Sequence, residues 1–265
     1  MEKSKRTILV PTDFKQVADY ALQHAIRVSS VVGEDVTMFH VVPKKENMEA
    51  AQMKLETLAK STNEKFGVLP RYLVGVGEIV KEIARVSSEL NVSMVIMGSE
   101  SIKGKVDLGQ YWALKVITAS KAPFVTIQEP PINKRYDEIV FPIDFTVENK
   151  EKHSWISYFS DYYVSRFHLI KPNVSDPELV AKVDLNMASA IKCLDEKGAR
   201  YQIYTVEGQK PYAEEVLDLA VNIRADLIVI MTTRKQEDGT FVVEPHEQSI
   251  IANAGHIPVM SINPR

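Results

Sequence analysis

Between residues 95 and 117 the sequence VIMGSESIKGKVDLGQYWALKVI sets Gly98, Gly104 and Gly109 between an apolar run and a helical pattern. Glycines ahead of a helix N-terminus leave backbone N–H groups free to hold an anion, and Lys103 and Lys105 add positive charge. A phosphate loop of the G-x4-G-K-[ST] type does not fit. Five residues separate Gly98 from Gly104, and Val106 stands where a magnesium-binding hydroxyl is required. The dinucleotide pattern G-x-G-x-x-G fails by spacing as well. Asp13 closes the apolar run ILVPTDF. There it could accept hydrogen bonds from a ribose, hold a metal through water, or cap the helical pattern that starts near Lys15. Asp144 holds the equivalent place in IVFPIDF, with Thr146 beside it as an alternative cap.

The remaining reactive side chains form no recognisable catalytic set. His40 and His168 each follow a phenylalanine in an apolar run, which assigns them one repeat position and a structural role. The histidines make no H-x3-H or H-E-x-x-H run, so no metal site is expected. Ser99 and Ser101 lack a G-x-S-x-G frame. Cys193, the single cysteine, excludes an internal disulfide and is expected on the inner face of a helix. Trp155, Phe159 and Tyr162 share a helical face and read as core or interface.

Composition narrows the class. Of 265 residues, 45% are hydrophobic and 25% charged, and the net charge is −3. There is no basic excess for nucleic acid, no apolar run of the ~20 residues that span a bilayer, and no leader pattern at the N-terminus. A cytoplasmic protein is expected.

The positioning elements come twice. ILVPTDF at 8–14 returns as IVFPIDF at 139–145, FHVVP at 39–43 as FHLIKP, MVIMG at 94–98 as LIVIMT, and APFVTI at 122–127 as IPVMSI at 257–262. The order is kept and the offset moves only from 131 (139 − 8) to 135 (257 − 122). The expected domains are 1–131 and 132–265, joined where Pro130 and Pro131 break regular structure. Strand and helix patterns alternate in each, as in Val17, Ala21, Ala25, Val28 and Val32. The expected fold is α/β: two tandem doubly wound five-stranded parallel sheets of order 3-2-1-4-5. Their apolar fifth strands are expected to pack them as an internal pseudo-dimer. Asp13 and Gly98 would then flank the crevice beyond the first and fourth strands, where such sheets bind ligands.

These pieces, in this order, make the chain resemble a tandem universal stress protein over essentially both halves. ATP-binding members of that family carry G-x2-G-x9-G-[S/T] after the fourth strand, an early aspartate near the nucleoside, and a residue after a second-strand histidine that meets adenine through its backbone. By position the resemblance implies Asp13, Val41, Gly98, Ser101, Gly109 and Gln110. Ser101 replaces a glycine, Gln110 replaces the hydroxyl, and the loop is two residues short. The second copy keeps one glycine in its loop, Gly239, beside Thr232, Thr233 and Arg234, and the motif does not carry over to it. The resemblance implies a non-catalytic stress-response protein acting through an unknown protein partner, with a degenerate nucleotide site. The alternative is a protein that binds ATP or another adenine nucleotide in its first domain alone, and an adenylating or hydrolysing enzyme ranks last. The cofactor and homodimer pairing stay open. If ATP binds, Gly98→Val is expected to abolish binding by filling the phosphate path.

Overall fold

The structure, a computed structural model, describes residues 6–99, 112–133, 135–235 and 240–264. It divides into two compact units, Met1–Ile132 and Asn133–Arg265.

In the first unit β1 (Thr7–Pro11), α1 (Gln16–Val32), β2 (Asp35–Val42), α2 (Met48–Phe66), β3 (Arg71–Val76), α3 (Ile79–Glu89), β4 (Val92–Gly98), α4 (Trp112–Ala119) and β5 (Phe124–Ile127) follow in turn. The strands are parallel and ordered β3-β2-β1-β4-β5, so the order reverses between β1 and β4. β1 is buried along its whole length, as a central parallel strand covered on both faces must be. The small residues Ala18, Ala21 and Ala25 bury one stripe of α1. That helix stops at Gly33, whose φ of 73° lets its N–H return to Ser29.

The second unit repeats the plan with β6 (Glu138–Pro142), α5 (His153–Tyr162), β7 (Arg166–Lys171), α6 (Pro177–Glu196), β8 (Arg200–Thr205), α7 (Tyr212–Asn222), β9 (Leu227–Met231), the short antiparallel pair β10 (Thr233–Arg234) and β11 (Phe241–Val242), α8 (Pro245–Ile251) and β12 (Val259–Ile262). Its order, β8-β7-β6-β9-β12, is again 3-2-1-4-5. Asp176 and Pro177 open α6 as acceptor cap and first residue, and Glu244 and Glu247 make a capping box on α8.

Pairing register corrects one repeat match. Leu9 pairs with Thr37, and its counterpart Val140 pairs with His168. The offset is 131 in both strands (140 − 9, 168 − 37), so His168 corresponds to Thr37 and His40 to Lys171. The shared Phe-His letters mislead because hydrogen-bond register, not local identity, fixes strand position. The places nevertheless do related work. Thr7 and Thr37 share a buried 2.8 Å hydrogen bond, and Glu138 and His168 make a 2.5 Å bond at the corresponding place. The aromatic face of α5 also differs from expectation. Ile156 and Phe159 enter the core, where Phe159 meets Tyr136, whereas Tyr162 is exposed. Cys193 is half-buried and leans on the His153 carbonyl.

Candidate functional site

The first crevice lies beyond the carboxyl ends of β1, β2 and β4. Asp13 follows β1 there, two residues past Pro11. Its Oδ1 accepts the Lys15 N–H at 3.0 Å, closing the turn into α1, and its Oδ2 lies 3.4 Å from the Lys15 ammonium. The side chain is half exposed. His40 and Val41 lie near the end of β2. The Thr12 carbonyl can only accept, so His40 Nδ1 carries the proton in their 2.7 Å bond. That bond fixes the ring and leaves Nε2 as a lone pair. Phe14, between these strand ends, holds a left-handed φ of 66° and packs its ring 4.6 Å from that of His40.

Gly98 ends β4, and its neighbours explain why it is glycine. A Cβ there would come within 2.5 Å of the Val17 carbonyl oxygen and 2.9 Å of the Ala18 nitrogen. A side chain at 98 would therefore strike the first turn of α1, and helix–strand packing is what demands the glycine. Just beyond it, Ser99 is buried at 1% exposure with its hydroxyl unpartnered. Ser101, Gly109 and Gln110, with the rest of the glycine loop, lie outside the described residues. So does Gly239.

The corresponding place in the second unit is built differently. Register makes Met231 the counterpart of Gly98, since Gly98 pairs with Ile127 and Met231 with Ile262. A buried methionine now stands where the glycine admits a helix backbone. The chain responds by starting not with an α-helix but with a 3-10 turn, Val147–Lys152, packed on β9 ahead of the short α5. Counted at the offset of 131, Ala18 and Ala21 become Asn149 and Lys152. Asn149 is fully buried with both amide atoms unpartnered, and Lys152 is 1% exposed.

Lys152 donates to the Pro142 carbonyl and lies 4.9 Å from the centre of the Phe141 ring. Burial pulls its pKa down to about 8, against an opposing pull from Asp144. Asp144 Oδ1 accepts from both the N–H and the hydroxyl of Thr146, at 2.7 and 2.5 Å. Thr146 thus stands at the N-cap of the 3-10 turn but spends its hydroxyl on Asp144 and makes no side-chain cap bond. Asn186 pins this turn by donating to the Asp144 and Thr146 carbonyls, both at 2.8 Å. Glu247 accepts from Thr233 and from the Glu244 N–H. Burial raises its pKa to about 7 even against those two bonds. Tyr212 donates to the Ile143 and Ile170 carbonyls, and burial raises its phenol. The second crevice is therefore filled with its own polar side chains. Sequence reasoning missed Lys152, Asn149 and Glu247, although the replacement of two alanines at constant offset was the available signal. Among the described residues, no group of three His, Cys, Asp or Glu could hold a metal ion, and no helix is long and apolar enough to cross a membrane.

Residues 5–125 match the universal stress protein family. The chain carries a universal stress protein domain. A curated relative, a universal stress protein of Methanocaldococcus jannaschii, is 26% identical over 39% of this chain and 80% of its own length. A universal stress protein structure from Archaeoglobus fulgidus superposes with a TM-score of 0.76 over 97% of this chain and 98% of that one, at 19% identity. The fold likeness thus extends over both units. A shorter Archaeoglobus fulgidus universal stress protein, solved in complex with dAMP, covers 49% of this chain and 98% of its own at 14% identity and a TM-score of 0.37.

Proposed function

We propose that this chain is a stress-response protein that holds an adenine nucleotide in the crevice of its first unit and acts by binding, the second unit having closed its own crevice. The observation that carries the reading is the contrast between the two strand ends. At the first, Gly98 lets α1 close on β4 beside a half-exposed Asp13, a half-buried Val41 and an oriented His40. At the second, Met231 takes the place of Gly98, Asn149 and Lys152 take those of Ala18 and Ala21 on the facing helix, and all three are buried.

In this reading Asp13 accepts from the ribose and the backbone of Val41 meets the base. The phosphates fall to the glycine segment that begins at Gly98, whose Ser101, Gly109 and Gln110 lie outside the described residues. Because that segment is two residues shorter than the family pattern and lacks its final hydroxyl, a monophosphate or diphosphate is favoured over ATP. Action by binding is supported by the engagement of the titratable groups. Asp13 closes a turn, and among the described residues His40 is engaged by a backbone carbonyl and the Phe14 ring. A protein partner that senses the occupied state completes the proposal.

Isothermal titration of the full chain with AMP, ADP and ATP–magnesium tests it. One site per chain is expected, with AMP or ADP bound at least as tightly as ATP. Two sites per chain, or no heat with any of the three at high protein concentration, would overturn the reading.

A further inference from the structure

We propose that Phe14 and His40 form a stacking wall that selects an amino-bearing purine in the first crevice, the base lying on Phe14 and donating its amine to His40 Nε2. The inference rests on the adenine-nucleotide reading above and names the side chains that select its base.

Backbone conformation gives the first support. Phe14 is one of three non-glycine residues among those described with positive φ, a region costly for a bulky aromatic. Its N–H is tied to the Thr12 hydroxyl at 3.0 Å, and the left-handed turn brings the ring up beside the end of β2. No such conformation occurs at the counterpart, Phe145, which is 44% exposed.

Ring placement gives the second. The Phe14 and His40 centroids are 4.6 Å apart at an interplanar angle of 45°. The Thr12 carbonyl holds His40 in the tautomer protonated at Nδ1. The pair therefore offers a hydrocarbon face and, beside it, a fixed lone pair at Nε2. This combination suits a flat ring with an N–H donor on its edge, and it offers nothing to a phosphate. In the second unit Lys171 takes the place of His40 and pairs with Asp184 at 2.8 Å, so neither half of the wall exists there.

The third support is access. Phe14 is only partly buried, and what lies over its ring, 5.6 Å from the centre, is the Lys54 ammonium. Lys54 is exposed, and a base that takes its position on the ring frees the ammonium to turn toward the ligand's phosphate.

The test is titration of the full chain and of three variants with AMP and with IMP, which carries a carbonyl where AMP carries the amine. Wild type is expected to bind AMP about tenfold or more tighter than IMP, because IMP sets an acceptor against the Nε2 lone pair. Phe14→Gly suits a φ of 66° and should melt at or above the wild-type temperature while binding AMP about 10- to 100-fold more weakly. Phe14→Tyr should restore AMP binding. His40→Phe should keep the ring contact and lose the preference for AMP over IMP. Unchanged AMP affinity in a folded Phe14→Gly, or equal affinity of wild type for AMP and IMP, would overturn the wall while leaving nucleotide binding intact. Absence of binding to AMP, ADP and ATP by wild type would remove the underlying reading and the wall together.

Discussion

Lys152 is a single side chain whose environment sets a measurable property. Its ammonium is buried, and burial lowers its pKa to about 8 from the ordinary 10.5. Between those values the unfolded chain holds the proton more tightly than the folded one, so stability rises with pH through that window. From pH 7.5 to 9.5 the second unit should gain about 2 kcal/mol, read as a shift of its urea midpoint at constant slope. Lys152→Met removes the buried charge and nearly keeps the volume. The variant should be at least as stable as wild type at pH 7.5 and show no rise toward pH 9.5. A wild-type midpoint that stays flat or falls over this range would mean the ammonium is solvated in solution. Asn149 is the companion case: a fully buried amide with two unpartnered atoms costs stability wherever water does not reach it.

At the scale of elements, the decisive pair is α1 and β4. Gly98→Ala places a methyl group 2.5 Å from the Val17 carbonyl oxygen, and the helix must retreat. The expected cost is about 1–3 kcal/mol, seen as early loss of hydrogen-exchange protection in residues 16–32. Met231→Gly in the second unit should also cost about 2–5 kcal/mol, by opening a cavity under the 3-10 turn. A neutral Gly98→Ala would contradict the packing account of that glycine. This pair also marks what was legible in advance. The parallel strands followed from buried apolar runs such as TILVP alternating with helical stripes such as Ala21, Ala25 and Val28, because parallel strands need crossovers; their order does not follow from alternation. The repeat followed from ILVPTDF and IVFPIDF. The FH-to-FH match was three residues out, since strand register depends on pairing across the sheet and letters along the chain do not record it. The closed second crevice was hidden for a similar reason. Asn149, Lys152 and Met231 lie far apart in sequence, and their burial in one place is a property of the folded sheet. Asp13 was legible as both ligand group and cap; its Oδ1 closes the turn on the Lys15 N–H, and α1 starts from Lys15 without a side-chain cap bond.

For the whole molecule, the two units should answer acid with opposite signs. In the first, His24 on α1 is 2% exposed, donates from Nε2 to the Glu129 carbonyl, and leaves Nδ1 unpartnered. Burial, with Arg27 nearby, lowers its pKa to about 3. The unfolded chain therefore binds the extra proton between about pH 6.5 and 3, and stability falls as pH drops through that range. From pH 7 to 5 the loss is about 2 kcal/mol. In the second, Glu247 has a folded pKa of about 7 against an ordinary 4.5. Here the folded state binds the proton first. The stabilisation is full below 4.5 and lost as pH rises through 7, so the same acidification adds about 2 kcal/mol. His153, whose pKa burial and the neighbouring Lys152 and Lys150 depress, works against that gain, and Glu247→Gln separates the two contributions. Hydrogen exchange at pH 7 and 5, corrected for intrinsic rates, should show peptides from residues 6–99 losing protection. Peptides from 135–235 should hold or gain it, except in Glu247→Gln, where they lose. His24→Leu should abolish the acid sensitivity of the first unit. If the first unit in the His24→Leu variant weakens as much as in wild type, a different group carries the acid response. Because the proposed ligand sits in the acid-sensitive unit, nucleotide should protect the first unit's amides most strongly near pH 5, where its unliganded form opens most often.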